Sequence, residues 1–465
     1  MKRLLMIGAG VSTVSLLKNL IAKNNITVLS IDIIDSEPHF GRGNAYIRDS
    51  EHLLSNVPVN EMALDDDENH LGDWLNKKGI QYERFCTRRA FGQYMNDILS
   101  DIINRHENIN YTYGRVHRLD YDGDCFSAWI NGTEVNYDYV YLGIGMLEYA
   151  DPYNLKGEEN FIYNPYPVAK VLKNIEGEVA IVGSGLSAID SLRYLIKAQN
   201  YKTVYMFSRN KDMPSVRGES HSFIFKHFTP AALDSLITKD LLKLEDVKSL
   251  FLKEAEFQGI DLSLFERKTG RIIEDLTYDL EHPKAVGKLE YFLIEFNHVF
   301  TKYLHKLSEE DRQYMMEHYQ PYISENYSPM PDLVAQDLVD WLSEGRLVMM
   351  ENLKEIEHND RYILKTDEDA YEMDVVINAT GPNTDISLSG NPLIKHLLKQ
   401  QIISPHHLGG FTVDSDYHVV SPRYGTIRGM FALGELTFGM TYLSNSVFDI
   451  YEMSKEIADE ILETI

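Results

Sequence analysis

Four apolar residues, then glycine, one residue, glycine, then apolar positions three and four apart: the chain writes this pattern twice. It appears as LLMIGAGVSTVSLLKNLI (4–21) and again as VAIVGSGLSAIDSLRYLI (179–196). Each copy predicts a buried strand, a tight turn and an amphipathic helix. Two further runs echo one another, DYVYLGIG (138–145) and DVVINATGP (374–382), each an acidic residue, an apolar strand and a glycine. Alternation through NYTYGRVHRLDYD and CFSAWINGTEVNYDYVYLGIG predicts a meander that returns to the sheet. The second turn opens a strand–helix–strand unit closed by TVYMFS (203–208).

From about residue 216 to 342 the period changes. TPAALDSLITKDLLKLEDVKSLFLKEAEF and VGKLEYFLIEFNHVFTKYLHKLSEEDRQYMMEHY carry apolar residues at spacings of three and four with charges between them, which predicts a helical insertion. RLVMMENLKEIEHNDRYILKTDEDAYEMDVVINATGP then reads as successive strands, and GMFALGELTFGM as a strand ending at Gly434 before a terminal helix. The expected fold class is α/β with two Rossmann-like dinucleotide-binding domains and a helical insertion. The first domain is split between residues 1–150 and 382–465, the second occupies 151–215 and 343–381, and the insertion spans 216–342.

Composition narrows the classes. The 465 residues are 44% hydrophobic, enough for two or three packed domains. The 71 acidic against 45 basic residues give a net charge of -26, which argues against nucleic acid and anionic lipid surfaces as partners. No uninterrupted apolar stretch reaches the ~18 residues of a membrane span. Met1-Lys2-Arg3 and the apolar run behind it read as a first strand rather than a secretory signal, because glycines break the run at once. Cys86 and Cys125 form no CxxC, which excludes a dithiol redox centre of the usual spacing and suits a reducing cytoplasm.

The glycines carry the chemistry. A dinucleotide pyrophosphate brings two negative charges against the backbone, so glycine is needed where a side chain would collide, and a helix N-terminus where amide N–H groups face the anion. Gly8 and Gly10, and Gly183 and Gly185, supply these features; Thr13 and Ala188 stand where a third glycine usually lets helix and strand pack closely. About 20 residues further on, the second strand should end in the residue that reads the ribose. In the first unit that is Asp35, with Asp32 as the competing choice; a carboxylate there accepts from a 2'-OH and repels a 2'-phosphate. In the second unit it is Ser208-Arg209, with Lys211 close behind, and a guanidinium suits a phosphate monoester. Opposite readers in one chain predict two different dinucleotides, FAD in the first site and NADPH in the second.

MIGAGVST, the block FGRGNAYIRDSEHLLSNVPVNEMALDDDENHLGDWL (40–75), TRRAFGQYM (87–95), VAIVGSGLSAID, FSRNKDMPSVR, VVINATGP and FALGE together resemble the bacterial FAD-NAD(P)-binding proteins. That family belongs to the two-dinucleotide-binding-domain flavoproteins and is related to the class B and N-hydroxylating flavin monooxygenases. The resemblance implies that Gly8, Gly10 and Asp35 hold the FAD pyrophosphate and adenosine ribose, and that Val116 meets the adenine through its backbone. It places Arg42, Gly43 and Asn56 near the flavin, and Gly434 with Glu435 by the ribityl and pyrophosphate. Gly145, and Thr380 with Gly381, would mark the crossings between the nucleotide domains. Thr13, and Glu435 in place of an aspartate, are the departures that bear on FAD retention.

Other features read as structure. His406-His407 with Asp414 and Asp416 lacks a fixed ligand spacing and reads as a loop, so no metal is expected. Ser184 and Ser187 lack the GxSxG of a hydrolase elbow. The aromatics of the insertion, among them Phe223, Phe225, Phe228, Phe292 and Phe296, read as core; the sharper alternative is a lid over the flavin offering Arg217, His221 and Lys226. The expected activity is hydride transfer from NADPH to FAD followed by oxygenation of a small molecule. An NADPH:acceptor reductase and a non-catalytic dinucleotide-binding module remain the alternatives.

Overall fold

The structure is a computed structural model that describes residues 1–23, 26–35, 40–209, 213–319, 323, 326–441 and 446–465. Its packing divides the chain into two units. One comprises Met1–Arg48, Val57–Glu148 and Pro382–Ile465, the other Asp49–Asn56 and Tyr149–Gly381.

The first unit begins with β1 (Lys2–Ile7), α1 (Val11–Ala22) and β2 (Leu29–Asp35). Leu4 to Ile7 are all buried, the continuous apolar run of a strand covered on both faces. Helices α2 (His70–Lys77) and α3 (Arg88–Arg105) follow; the Thr87 hydroxyl accepts from Ala90 N at 3.1 Å and caps α3. Next come β3 (Ile109–Tyr113) and an antiparallel meander of β4 (Val116–Tyr121), β5 (Phe126–Ile130) and β6 (Thr133–Tyr137), before β7 (Tyr139–Leu142) re-enters the main sheet.

The second unit holds β8 (Phe161–Ile162), α4 (Val168–Val171), β9 (Val179–Val182), α5 (Leu186–Lys197) and β10 (Val204–Phe207). The helices α6 (Pro230–Leu236), α7 (Leu244–Gln258), α8 (Ile272–Glu281), α9 (Pro283–Phe300), α10 (Glu309–His318) and α11 (Asp332–Ser343) then lead to β11 (Leu347–Met350). A second meander, β12 (Glu355–His358), β13 (Tyr362–Lys365) and β14 (Ala370–Met373), precedes β15 (Val375–Asn378). The chain returns to the first unit with α12 (Pro392–Lys399), β16 (His418–Ser421), β17 (Gly425–Ala432), α13 (Phe438–Thr441) and α14 (Val447–Glu463).

The first sheet has the order β16-β17-β7-β1-β2-β3 and is parallel except for the edge strand β16; the second is parallel in the order β11-β10-β9-β15-β8. In each, the strand that precedes the glycine turn lies between the next strand of its unit and the strand that follows the meander. The echoing acids have one local task. Asp138 accepts from Arg3 N at 2.8 Å and Asp374 from Glu178 N at 2.7 Å, so each satisfies a backbone donor at the start of the strand that leads into its unit's glycine turn.

Residues 49–56 lie in the second unit, whereas the sequence places them within 1–150. The reason is a set of buried attachments. The Asp49 carboxylate accepts from Val168 N and Ala169 N at 2.8 Å each, at the start of α4. Leu53 is buried in the core around β9 and α5. The Arg193 guanidinium donates to His52 O at 3.0 Å, and Arg217 donates to Asn56 O at 3.0 and 3.2 Å.

The aromatics of the insertion form core. Phe228 and Phe292 are fully buried, and Phe228, Phe251, Phe292, Phe296 and Phe300 pack ring against ring. Arg217 is not available to a substrate: it is ion-paired with Glu290 on α9, both side chains are 2% exposed, and Gly218 N donates to the other Glu290 oxygen at 3.0 Å. Breaking such a pair from one side leaves a buried charge unmatched, so Arg217→Ala should cost about 3–5 kcal/mol of unfolding free energy in urea titrations. Replacing both partners by apolar residues of similar volume should recover most of it. The His221 Nε2 stands 3.2 Å from Lys284 O, and the Lys226 side chain is exposed.

Candidate functional site: two glycine turns

Each first glycine is fixed by protein sterics. Gly8 has φ +100° and a β-carbon there would fall 2.2 Å from Gly143 O; Gly183 has φ +124° and its β-carbon would fall 2.2 Å from Ala379 O. Each also donates its N–H at 2.8 Å to the adjoining strand, Gly8 to Ile34 O and Gly183 to Phe207 O. No L side chain satisfies both demands.

The second glycines differ. Gly10 stands against Gly43, whose φ is +58°; a β-carbon on Gly10 would lie 3.3 Å from Gly43 Cα, and one on Gly43 3.0 Å from Gly10 Cα. Gly185 has φ −80° and ψ −172°, which any residue adopts, and nothing lies within 4 Å of where its β-carbon would be. Its own unit gives no steric reason for glycine there, and the flank of the turn is open.

The loop bearing Arg42 and Gly43 is moulded onto α3. Gly41 approaches the Asn96 backbone, a β-carbon on Gly92 would strike Tyr46 O at 2.0 Å, and Asn96 Nδ2 donates to Phe40 O at 2.8 Å. This explains why the GRGNAY and TRRAFGQYM stretches occur together: one is the wall and the other its support. The Arg42 side chain is 4% exposed and turns toward α3, where Nη2 donates to Gln93 Oε1 at 2.6 Å and Nη1 to Gly92 O at 3.4 Å. Burial, aided by the charge of Arg48, lowers its pKa.

Thr13 and Gly143 are fitted to one another. Thr13 is fully buried and its hydroxyl donates to Gly8 O at 2.8 Å, while a β-carbon on Gly143 would meet Thr13 Oγ1 at 2.6 Å. In the second unit the corresponding positions are Ala188 and Ala379. Bulk gained on the helix has been removed from the neighbouring strand end, so the threonine is accommodated within its own unit.

The ribose readers also separate. Asp35 Oδ2 accepts from Ala9 N at 2.8 Å, which places its carboxylate at the glycine turn. Asp32 is committed elsewhere, accepting from Arg3 at 2.8 Å and Tyr137 at 2.9 Å. In the second unit Ser208 is buried, its N–H donating to Met350 O at 3.0 Å, and Arg209 is exposed; Lys211 lies outside the described residues. Burial raises the pKa of the Tyr153 phenol and the Arg209 charge opposes that rise.

Gly145, Gly381 and Gly434 have φ of +73°, +96° and +77°, with open space where a side chain would point. Gly145 and Glu435 line one small cavity with Pro382 and Asn383. Thr380 donates to Asn378 Oδ1 at 2.8 Å, and Ala150 N donates to Gly381 O at 3.0 Å. Val116 is buried at the start of β4, and Asn56 offers its carbonyl to Arg217. A cleft of about 550 Å³ lined by Val59, Asn60, Glu68 and Tyr82, among others, contains none of the sequence candidates. The Asp414 carboxylate accepts from Asp416 N at 3.0 Å and His418 N at 2.9 Å, as a turn-forming side chain does.

The fold is α/β, with two Rossmann-like units and a helical insertion. Residues 5–147 match the FAD-NAD(P)-binding family. Similar solved structures include the ornithine N-hydroxylase of Kutzneria sp. 744, with TM-score 0.62 and 16% identity over 99% of both chains. The L-lysine 6-monooxygenase of Pseudomonas syringae gives TM-score 0.62 and 15% identity over 100% of both chains. The ornithine hydroxylase of Pseudomonas aeruginosa gives 0.61 and 14% over 99% of both. No curated protein matches the sequence. Among the described residues no helix is long and apolar enough to cross a membrane.

Proposed function

We propose that this chain is an FAD- and NADPH-dependent oxidoreductase of the cytoplasm, a monooxygenase acting on a small molecule. The observation that carries the reading is the pair of glycine turns with opposite readers, Asp35 beside one and Arg209 beyond the other. The open flank of Gly185, which leaves room for a ligand on the turn, supports it. Residues 1–48, 57–148 and 382–465 would form the FAD domain, and 49–56 and 149–215 with 343–381 the NADP domain.

The bound cofactors would supply hydride transfer and oxygen activation. The protein's part is to bind and orient. The helices α1 and α5 each begin at a glycine turn, so their N-terminal amide N–H groups would face the two pyrophosphates. Asp35 would accept from the FAD ribose, and Ser208 with Arg209 would hold the NADPH 2'-phosphate. Gly10, Thr13, Arg42, Gly43, Asn56, Val116, Gly145, Gly434 and Glu435 complete the flavin side; Gly183, Ala188, Thr380 and Gly381 complete the nicotinamide side. The named activities of the structural neighbours on ornithine and lysine make small amines the first substrates to test.

The test is a visible spectrum of the purified chain followed by anaerobic NADPH. The expected result is a flavin spectrum that bleaches with NADPH and much more slowly with NADH, and oxygen uptake coupled to a hydroxylated product once substrate is present. Turnover with quinones and no oxygenated product would point to the reductase. Nucleotide binding without flavin reduction would leave a binding module.

A further inference from the structure

Pyrophosphate, ribose and adenine follow one another in a dinucleotide, so fixing the first two restricts the third. In the first unit the glycine turn follows β1 and the ribose reader Asp35 ends β2. Continuing along the sheet in the same direction, the next and last strand is β3, which ends at Tyr113. Tyr113 is the register partner of Asp35, and paired residues on neighbouring strands leave the sheet on the same face. The two strand ends are held in step, since Gly114 N donates to Asp35 O at 2.9 Å.

Beneath this position, Tyr111 packs edge-on against Phe40 with centroids 4.6 Å apart. Burial and the nearby Asp35 charge push its phenol up to about 12. Tyr113, two residues on and on the same face, is 63% exposed. Its backbone is fixed nonetheless: the Asn131 side chain donates to Tyr113 O at 3.3 Å and accepts from Arg115 N at 3.4 Å. A rigid strand end thus presents an aromatic ring to solvent where a nucleotide that places its ribose on Asp35 must continue.

We infer that Tyr113 is the adenine platform of the amino-terminal site, its ring stacking on the purine. The inference rests on the reading of that turn as the FAD site. Stacking uses the ring face and not the hydroxyl, and it contributes to affinity for any ligand carrying the adenine.

The full-length chain, stripped of flavin, is titrated calorimetrically with FAD and with ADP. Tyr113→Ala should weaken both about tenfold or more, while Tyr113→Phe and Tyr113→Trp stay within about threefold of wild type. The melting temperature should be unchanged, the side chain being largely exposed. Wild-type affinity in the alanine variant, or a phenylalanine variant as weak as alanine, overturns the platform while leaving the FAD site standing. A wild-type chain that binds neither FAD nor ADP overturns both.

Discussion

Gly185→Ala should abolish most NADPH binding while leaving the fold and the flavin in place. At φ −80° and ψ −172° an alanine fits the backbone, and no neighbouring atom lies within 4 Å of the new methyl. The stability cost is therefore that of alanine for glycine at a helix N-cap, under about 1 kcal/mol. The ligand meets a different situation. A pyrophosphate seated on the N-terminus of α5 must approach the backbone where the methyl now stands, and it loses charge-assisted hydrogen bonds of about 1.5–3 kcal/mol each. The dissociation constant for NADPH should rise at least about tenfold, since ~1.4 kcal/mol is a decade. Titration calorimetry with NADPH, set beside the melting temperature and the flavin absorbance, reads all three. Unchanged NADPH affinity would mean that the pyrophosphate does not lie on this turn. Gly183 offers no such separation, because its positive φ and the nearby Ala379 carbonyl make any substitution a folding defect first.

What could be read from the sequence was what depends on neighbours close along the chain. The two turns, the helices behind them and the meanders before β7 and β15 follow from periods of two and of about 3.6, with glycine where the backbone reverses. Asp35 and Arg209 followed from a fixed offset to the turns. What escaped were pairings across long separations. Arg217 looked like a polar group free for substrate because its partner Glu290 lies 73 residues away on another element. Arg42 gave no sign in the sequence of its partner Gln93, on a helix whose approach is set by Gly41 and Gly92. Residues 49–56 follow directly on FGRGNAYIR, and Arg193, Arg217, the α4 terminus and the core around Leu53, all formed by residues far along the chain, draw them into the second unit. Tyr113 carried no motif; its meaning comes from its register with Asp35.

The departure at Thr13 makes the same point and yields the largest expected coupling within the fold. From sequence, a β-branched side chain in place of glycine threatens the contact between α1 and the sheet. The structure answers that threat at Gly143, 130 residues on, by leaving off the side chain that would collide. Gly143→Ala alone should then cost about 1–3 kcal/mol, because its methyl meets a buried hydroxyl that has no room to move. Thr13→Ala alone should cost about 1–2 kcal/mol for the lost hydrogen bond to Gly8 O and the methyl-sized void. The double variant Thr13→Ala/Gly143→Ala recreates the alanine pair of the second unit, Ala188 with Ala379, and removes the shortest contact, leaving Tyr141 Cε1 at 3.1 Å and Ser12 Oγ at 3.2 Å from the new methyl. Its cost should fall below the sum of the singles by about 1–2 kcal/mol, a coupling that urea denaturation of the four proteins in the cycle resolves. Additive costs would show that the two sites do not share this volume.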